Sequence, residues 1–189
     1  MAKFRLGTTF VLFTYFHAMV LLCQGIQPID KWFQKIKLLP IPKYAIIEFY
    51  QQVVFAGDGE TSYEIARSSI TSTSPTFFGS LSMEDNLLTT GPDPRSPPIG
   101  RAQGLLGFSD LNEIAVYQSL NFIFKEGLYS GSTISVFGRR LGRKDEQELS
   151  VVGGTGDFRL ARGIAVLSTY VLNTTGTSTF KYTLYITYI

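Results

Sequence analysis

The fold is decided by the stretch STFKYTLYITYI, residues 178–189. Every second position of this stretch carries a large side chain, namely Phe180, Tyr182, Leu184, Ile186 and Tyr188. A period of two predicts a β-strand with one buried face and one wetter face. The sequence ends inside this strand, so we expect the strand to have a neighbour on both sides rather than a bare edge.

Strand patterns continue back along the chain, separated by turn residues at the spacing of about 8–12 residues that is typical of all-β folds. No amphipathic helix of useful length intervenes, which argues against parallel β-α-β units. We predict that the roughly nine strand candidates close into a β-barrel, because closure removes the bare edge and about eight strands enclose side chains or one small ligand. A β-sandwich is the alternative. The preceding strand candidates are Tyr44–Phe55, Ser62–Ile70, Thr76–Glu84, Ile99–Phe108, Ile114–Lys125, Ser132–Phe137, Glu148–Val152 and Phe158–Leu172.

Residues 1–25 have the pattern of a cleaved secretory signal peptide. Lys3 and Arg5 form a short basic region, and a largely apolar run follows it. Cys23 and Gly25 place small residues at the two positions that signal peptidase inspects, which predicts cleavage after Gly25 and export from the cell. A membrane anchor is the alternative, but the apolar run is shorter than the about 20 residues that a spanning helix needs.

Residues 26–43 form a mixed leader between the signal peptide and the barrel domain, which we place at 44–189. Pro40 and Pro42 stop any helix that the leader begins. We interpret the leader as a flexible arm or as a strap over the domain; a partner-binding helix is the alternative.

The composition excludes several kinds of site. The chain has 17 basic and 15 acidic residues, and its only Cys and only His, Cys23 and His17, lie in the signal peptide together with two of the basic residues. The mature chain therefore has balanced charge, which gives no indication of nucleic-acid binding. A Cys nucleophile, a Ser-His-Asp triad and a His- or Cys-based zinc site are excluded, and we predict no metal and no cofactor.

Two motifs invite a functional interpretation. The run GGTGDF, Gly153–Phe158, looks like a nucleotide-binding loop, but Arg159 stands where the dinucleotide pattern needs glycine, and no helix pattern follows. We interpret it as a tight turn between two strands. Asn173 begins the sequon Asn-Thr-Thr in a turn between the last two strands, which predicts a glycan there on an exported chain.

Charged residues cluster in two places. The run RRLGRKDEQE, residues 139–148, mixes both signs and is interpreted as a solvated hairpin loop; the alternative is a loop at the barrel mouth that steers an anionic ligand. Glu84 and Asp85 could supply paired carboxylates for acid–base chemistry. Because neighbours on a strand point to opposite faces, we expect them to be structural or to cap a turn instead.

Three long motifs together resemble the plant dirigent family, and the match extends over essentially all of residues 44–189. They are SPPIGRAQG within Phe78–Gly104; NFIF, GLYSGSTI and FGR within Asn121–Arg139; and VVGGTGDFRLARG at Val151–Gly163. The resemblance implies a closed eight-stranded barrel, usually a trimer, exported to the apoplast. Members direct how phenoxy radicals of monolignols such as coniferyl alcohol couple, giving lignans of one hand, while a separate laccase or peroxidase oxidises the substrate.

The resemblance also leaves two other functions open. A degenerate member could be an apoplastic binding protein associated with the cell wall or with defence. A few relatives are enzymes that process a quinone methide with acid groups. An auxiliary protein that orients radicals needs no nucleophile, only an apolar pocket and a few polar groups that orient phenols.

The sequence departs from the family at the pocket. Gln51-Gln52 stands where the family carries His-Asp, and Leu106 where a tyrosine is common. Arg140 replaces an aspartate, Gln147 an arginine, and Asn86 the second residue of an Asp-Asp pair. Since glutamine bonds a phenol but cannot donate a proton as an acid, we expect a pocket that orients phenols without supplying protons. The pocket candidates are Gln52, Leu106, Phe108, Arg140 and Gln147.

Overall fold

The computed structural model describes residues 41–142, 146–172 and 176–189. These residues form nine strands and a single-turn 3-10 helix at Gly156–Phe158. No helix among them is long and apolar enough to cross a membrane. The predicted signal peptide and most of the leader lie outside the described residues. The strands are β1 (Lys43–Val54), β2 (Ser62–Ala66), β3 (Leu81–Thr89), β4 (Pro98–Phe108), β5 (Ala115–Phe124), β6 (Thr133–Leu141), β7 (Glu146–Thr155), β8 (Arg162–Leu172) and β9 (Thr177–Tyr188).

Eight of the nine strands close into an antiparallel barrel. Strands β3 to β9 pair in chain order, β9 pairs with β1 along its whole length, and β1 pairs with β3 at Tyr50–Gln52. The short strand β2 continues the β1 edge along the other half of β3. This continuous ring confirms the predicted closed eight-stranded barrel and excludes the sandwich.

The alternation in β9 has the predicted consequence. Phe180, Tyr182, Leu184 and Ile186 are buried inside the barrel, and Tyr188 packs partly buried against the same core. The intervening side chains, such as Tyr185, face outward. The period-two pattern was therefore sufficient to orient this strand.

Strand β3 begins five residues later than predicted. The sequence suggested a strand over Thr76–Glu84, but residues 67–80 form successive turns, and Gly79 adopts φ +84 before the strand begins at Leu81. A positive φ is readily adopted by glycine and unfavourable for other residues. The shift moves Glu84 from the predicted strand end to the middle of β3.

Glycines in β4 allow it to approach β5 closely. A Cβ added to Gly100 would lie 1.9 Å from the Ile123 carbonyl oxygen, and one added to Gly104 would lie 2.0 Å from that of Ser119. Any side chain at either position would push the two strands apart. The GRAQG motif is thus a packing requirement of the barrel wall.

The tight turn predicted over Gly153–Phe158 is present only in the second half of that segment, because Gly153, Gly154 and Thr155 are still paired with β6. Strand β7 continues through Thr155, and the chain turns in the 3-10 helix that follows, where Gly156 has φ +64. Phe158 is then fully buried in the barrel core. The segment therefore closes one end of the barrel.

Aromatic rings fill that end of the barrel. The rings of Phe49 and Tyr182 stack with centroids 5.7 Å apart, and Phe122 packs against both at 4.9 Å. Phe158 continues the stack towards Tyr188, 5.3 Å away. Toward the other end of the barrel, the inward-facing positions carry many polar side chains.

Candidate functional site

A group of polar side chains faces the barrel interior beyond the aromatic rings. We call it the inner polar cluster. Strand alternation puts these residues on the same inward face as the neighbouring core residues, and the strands that carry them surround the interior. The cluster comprises Gln51, Glu84, Asn86, Gln118, Arg140, Ser178 and Tyr182.

Each residue of the inner polar cluster has at least one buried polar atom without a hydrogen-bond partner. Both amide atoms of Gln51, the Gln118 Oε1 and the Ser178 hydroxyl are among them. Asn86 accepts a hydrogen bond from Thr61 Oγ1 (2.6 Å), but its Nδ2 has no partner. Buried polar atoms are nearly always satisfied in folded proteins, so such a concentration indicates a place where water or a ligand completes the bonding.

Glu84 is the acidic member of the cluster. Its side chain is only 3% exposed, and its Oε2 has no hydrogen-bond partner. Burial raises the pKa of this carboxyl, because the charged form loses its hydration, whereas the Arg140 charge, Gln118 and Ser62 lower it to a lesser degree. The interior therefore contains a carboxyl that retains its proton at a pH where an exposed one is ionised.

Tyr182 links the aromatic core to the polar cluster. Its ring packs on Phe49 and Phe122, while its buried hydroxyl is without a hydrogen-bond partner. Burial raises the pKa of this hydroxyl; the charge of Arg140 and the neighbouring Gln118 lower it, and Glu84 raises it further. The pKa of the Tyr182 hydroxyl therefore depends on three other members of the cluster, namely Glu84, Gln118 and Arg140.

Arg140 lies near the end of β6. Its guanidinium carbon is 4.8 Å from the Phe180 ring centroid, a cation–π contact, and its buried Nε has no hydrogen-bond partner. Across β5, Arg140 is in register with Val116, which in turn faces Phe108. Arg140, Val116 and Phe108 therefore form one row near the rim, where the Phe108 ring also contacts Phe77 at 5.5 Å.

Four of the five predicted pocket residues lie at this end of the barrel. Leu106 is buried opposite Gln118, and Arg140 and Phe108 share the row described above. Gln147 is buried at the start of β7, where its Oε1 accepts a hydrogen bond from the Leu141 amide across the hairpin. Binding roles for these residues stay predictions.

Gln52 does not face the interior, in contrast to the expectation that it lies near the cavity. Its Nε2 donates to Thr89 Oγ1 (3.0 Å) and to the Pro92 carbonyl (3.3 Å), and its Oε1 accepts from Thr179 Oγ1 (2.8 Å). These partners hold it on the opposite face of β1, under the loop that follows β3. Gln51 takes the inward position, because successive strand residues alternate between faces.

The sequence analysis missed most of the cluster. It placed Glu84 at a strand end and gave it a structural or capping role, which the central position in β3 corrects. With the observed strand bounds, the alternation of side chains puts Glu84 on the same face as Asn86 and Leu88. Gln118 could have been found in the same way, as a polar residue among the inward-facing Val116, Leu120 and Phe122 of β5.

The glycosylation site predicted at Asn173 lies outside the described residues, as does the tip of the charged hairpin at 143–145. The described ends of that hairpin are strand residues, so its adjacent arginines separate. Arg140 faces inward, whereas Arg139 faces outward and pairs with Asp110 (2.9 Å) and Glu113 (2.6 Å). In the described part of the chain, no group of three or more His, Cys, Asp or Glu could hold a metal ion.

Comparison with known proteins gives a consistent result. The model of the family described as "Dirigent-like protein" matches residues 45–187. Dirigent protein 23 of Arabidopsis thaliana is 36% identical over 151 residues, which cover 80% of each chain. Pterocarpan synthase 1 of Glycyrrhiza echinata is 29% identical over 146 residues, covering 76% of this chain and 78% of the relative.

Solved structures show the same similarity. The structure of the pterocarpan synthase dirigent protein GePTS1 superposes with a TM-score of 0.70 at 28% identity, covering 78% of this chain and 89% of that one. That of PsPTS1, also a pterocarpan synthase dirigent protein, superposes equally well at 28% identity, covering 77% of this chain and 96% of that one.

Proposed function

Because this chain belongs to the dirigent family, we propose that it binds phenylpropanoid phenols inside its barrel and imposes one hand on the coupling of their phenoxy radicals. Coniferyl alcohol and lignan formation are the first substrate and reaction to test. In this proposal a separate laccase or peroxidase generates the radicals, and the barrel only orients them.

The inner polar cluster carries the proposal. Its unpartnered amides and hydroxyl groups can bond the hydroxyl and methoxy oxygens of a phenol, and the neighbouring rings of Phe180 and Tyr182 supply apolar contact. Stereoselective coupling needs one face of each radical to be shielded and its orientation fixed, which shape and hydrogen bonds can provide. An aromatic-lined interior with unsatisfied polar groups meets both needs.

The experiment compares the coupling products of coniferyl alcohol and a laccase with and without the protein, by chiral chromatography. We expect an enantiomeric excess only in the presence of the protein, and a reduced one for Gln118→Leu, which removes an interior amide. Gln103→Leu makes the same change on the outer face of β4 and should retain the effect. Racemic products with the wild-type protein would overturn the proposal.

Glu84 favours a second candidate function, proton transfer to a quinone methide or its precursor. The sequence analysis expected an interior without proton donors, and the buried carboxyl of Glu84 departs from that expectation. Two of the similar solved structures are pterocarpan synthase dirigent proteins. A protonated carboxyl at the ligand can act as a general acid without any oxidase.

The two functions differ in their response to Glu84→Gln, which keeps the side-chain shape but removes the acid. Radical coupling should keep its selectivity in this variant and change little with pH. Acid-assisted turnover of a benzylic alcohol precursor, assayed without oxidase, should be lost. Turnover by wild type but not by the variant would put the second function in place of the first.

The proposal also includes secretion and glycosylation. The basic and apolar pattern of residues 1–25 supports secretion, and N-terminal sequencing of secreted protein should give Ile26. An intact Met1 on such material would contradict secretion by cleavage. The glycan proposed at Asn173 should be removable by an N-glycosidase, with a fall in mass.

An apolar patch on the outer barrel wall supports the proposed homo-oligomer, most simply a trimer. Tyr44 and Ile46 are 78% and 68% exposed, and Ile46 is in register with Tyr185, which faces Ile164 on β8. Contiguous exposed apolar side chains of this kind mark association surfaces. Light scattering at micromolar concentration should give a multiple of the monomer mass, and Ile46→Asp should lower it; a monomeric wild type would refute the assembly.

A further inference from the structure

Arg140 brings a positive charge to the inner face of the barrel without an acidic group bonded to it. The ion pairs formed among residues 41–142, 146–172 and 176–189 do not include it. Its Nε is buried and has no hydrogen-bond partner. A cation in such surroundings is unfavourable unless an anion or several acceptors compensate it. Among the described residues, neither an ion pair nor a hydrogen bond from Nε compensates the charge of Arg140.

The neighbours of Arg140 on the adjacent strands do not supply an anion. Phe180 lies 4.8 Å from the guanidinium carbon and supports one face. Val116 flanks it on β5, and the Gln147 Oε1, across the hairpin, is engaged by the Leu141 amide. A guanidinium placed over a ring still presents N–H groups, and the planar fork of these groups matches the two oxygens of a carboxylate.

Glu84 is the acidic residue of the inner polar cluster, and the charge of Arg140 acts on its carboxyl group. The Arg140 charge lowers the pKa of Glu84, but less than burial raises it, and the two side chains form no ion pair. The Tyr182 hydroxyl also stays neutral, because burial raises its pKa, and Gln118 carries no charge. Arg140 is the basic member of the inner polar cluster, and no carboxylate of the described residues forms an ion pair with it.

We infer that Arg140 binds the carboxylate of a phenolic acid, so that the preferred ligands are 4-hydroxycinnamate-type phenols rather than the corresponding alcohols. The aromatic ring of such a ligand packs near Phe180, and its carboxylate meets the guanidinium edge. The inference rests on the proposed function for the site, a phenol-binding barrel interior, and names the chemical class that the charge selects.

Ferulate and coniferyl alcohol are the probes, because they share the ring and differ at the end of the side chain. At pH 6 an exposed carboxylate is ionised and a phenol is neutral. Calorimetry on the wild-type protein should give an affinity for ferulate at least about tenfold higher than for coniferyl alcohol, the effect of one hydrogen-bonded charge. This comparison needs no variant.

Variants identify the residue. Arg140→Leu should reduce ferulate affinity by about ten- to a hundredfold and the affinity for coniferyl alcohol by much less, so that the preference for ferulate disappears. Arg140→Lys keeps the charge but not the planar fork, so it should retain part of the preference. Arg139→Gln is the matched control, since Arg139 is adjacent on β6 and faces outward; it should bind both probes as wild type does.

The outcomes separate the two proposals. Equal affinity of the wild type for both probes, or a ferulate preference that survives in folded Arg140→Leu, overturns the carboxylate inference and leaves the phenol site in place. Binding of coniferyl alcohol that strengthens only as its phenol ionises would assign Arg140 to a phenolate and also overturn the inference. If neither probe binds, the proposed function falls and the inference falls with it.

Discussion

Glu84 and Asp85 follow one another in β3, yet their carboxyl groups lie on opposite sides of the barrel wall. Glu84 is buried among the inner polar cluster, whereas Asp85 faces outward and accepts a hydrogen bond from Arg101 Nε at 2.7 Å. Burial raises the pKa of Glu84, and the hydrogen bond from Arg101 lowers that of Asp85. Two adjacent acids therefore have opposite protonation preferences because one strand separates two environments.

The first prediction concerns Glu84→Gln and the dependence of stability on pH. A carboxyl whose pKa is raised by folding stabilises the folded state fully below its unfolded pKa, and this contribution is lost as the pH rises through the folded pKa. Glutamine stays neutral throughout. As the pH rises above about 4, the free energy of unfolding of wild type should therefore fall relative to that of the variant, by about 1.4 kcal/mol for each tenfold change in proton affinity. Urea denaturation at several pH values measures it, and a constant difference would contradict it.

Asp85→Asn should show the opposite pH dependence and a smaller effect. A pKa lowered by folding contributes stability above the unfolded pKa, and that contribution disappears as the pH falls through the folded pKa. Because the pair with Arg101 is largely solvated, the loss at pH 7 should be below about 1 kcal/mol. The same titration, run on both variants, gives curves of opposite slope; a loss well above this bound would mean that the pair is less solvated than its exposure indicates.

Tyr182→Phe should not destabilise the protein. The hydroxyl is buried without a partner, so its removal relieves a desolvation penalty and should leave the free energy of unfolding unchanged or raised by about 1 kcal/mol. The ring contacts with Phe49 and Phe122 are retained. Phe122→Leu, which shrinks a fully buried ring in the same stack, serves as the control and should cost about 1 kcal/mol or more. A loss comparable to the control would show that the hydroxyl is already satisfied.

Phenol affinity in Tyr182→Phe tests the site separately from stability. Under the proposed function, the hydroxyl completes its bonding with a ligand, so the variant should bind coniferyl alcohol about five- to tenfold less tightly. Calorimetry at the pH of the coupling assay measures this. Unchanged affinity together with unchanged stability would place the hydroxyl outside the ligand contacts.

Gly104→Ala should be strongly destabilising. The added Cβ would lie 2.0 Å from the Ser119 carbonyl oxygen, so β4 and β5 would have to separate, at a cost of about 3 kcal/mol or more. Gly153→Ala is the matched control in β7, because its Cβ would meet only Arg162 Nη1, at 3.8 Å. Thermal unfolding of both variants measures the contrast. Equal melting temperatures would rule out close strand approach as the reason for the glycine.

The sequence predicted the barrel because each strand carries a local signal. The alternation in β9 and the turn residues between strands depend on neighbours along the chain. Closure followed from the need to pair the last strand on both sides, and the family resemblance implied eight strands. The bounds of β3 were predicted wrongly, because turn-forming residues precede Leu81 and the apolar Phe77 and Phe78 resemble the start of a strand. That five-residue shift concealed the position of Glu84.

The sequence by itself determined the strand pattern, the family and the absence of thiol and imidazole from the predicted mature chain, since these follow from residue types and local periodicity. Only the tertiary structure decided which polar residues meet. Glu84, Gln118, Arg140 and Tyr182 lie on four different strands, and their approach depends on barrel closure and on strand register. The structure also shows that Gln51 faces the barrel interior and that Gln52 does not. Moving by one residue along a strand moves a side chain from one face of the barrel wall to the other.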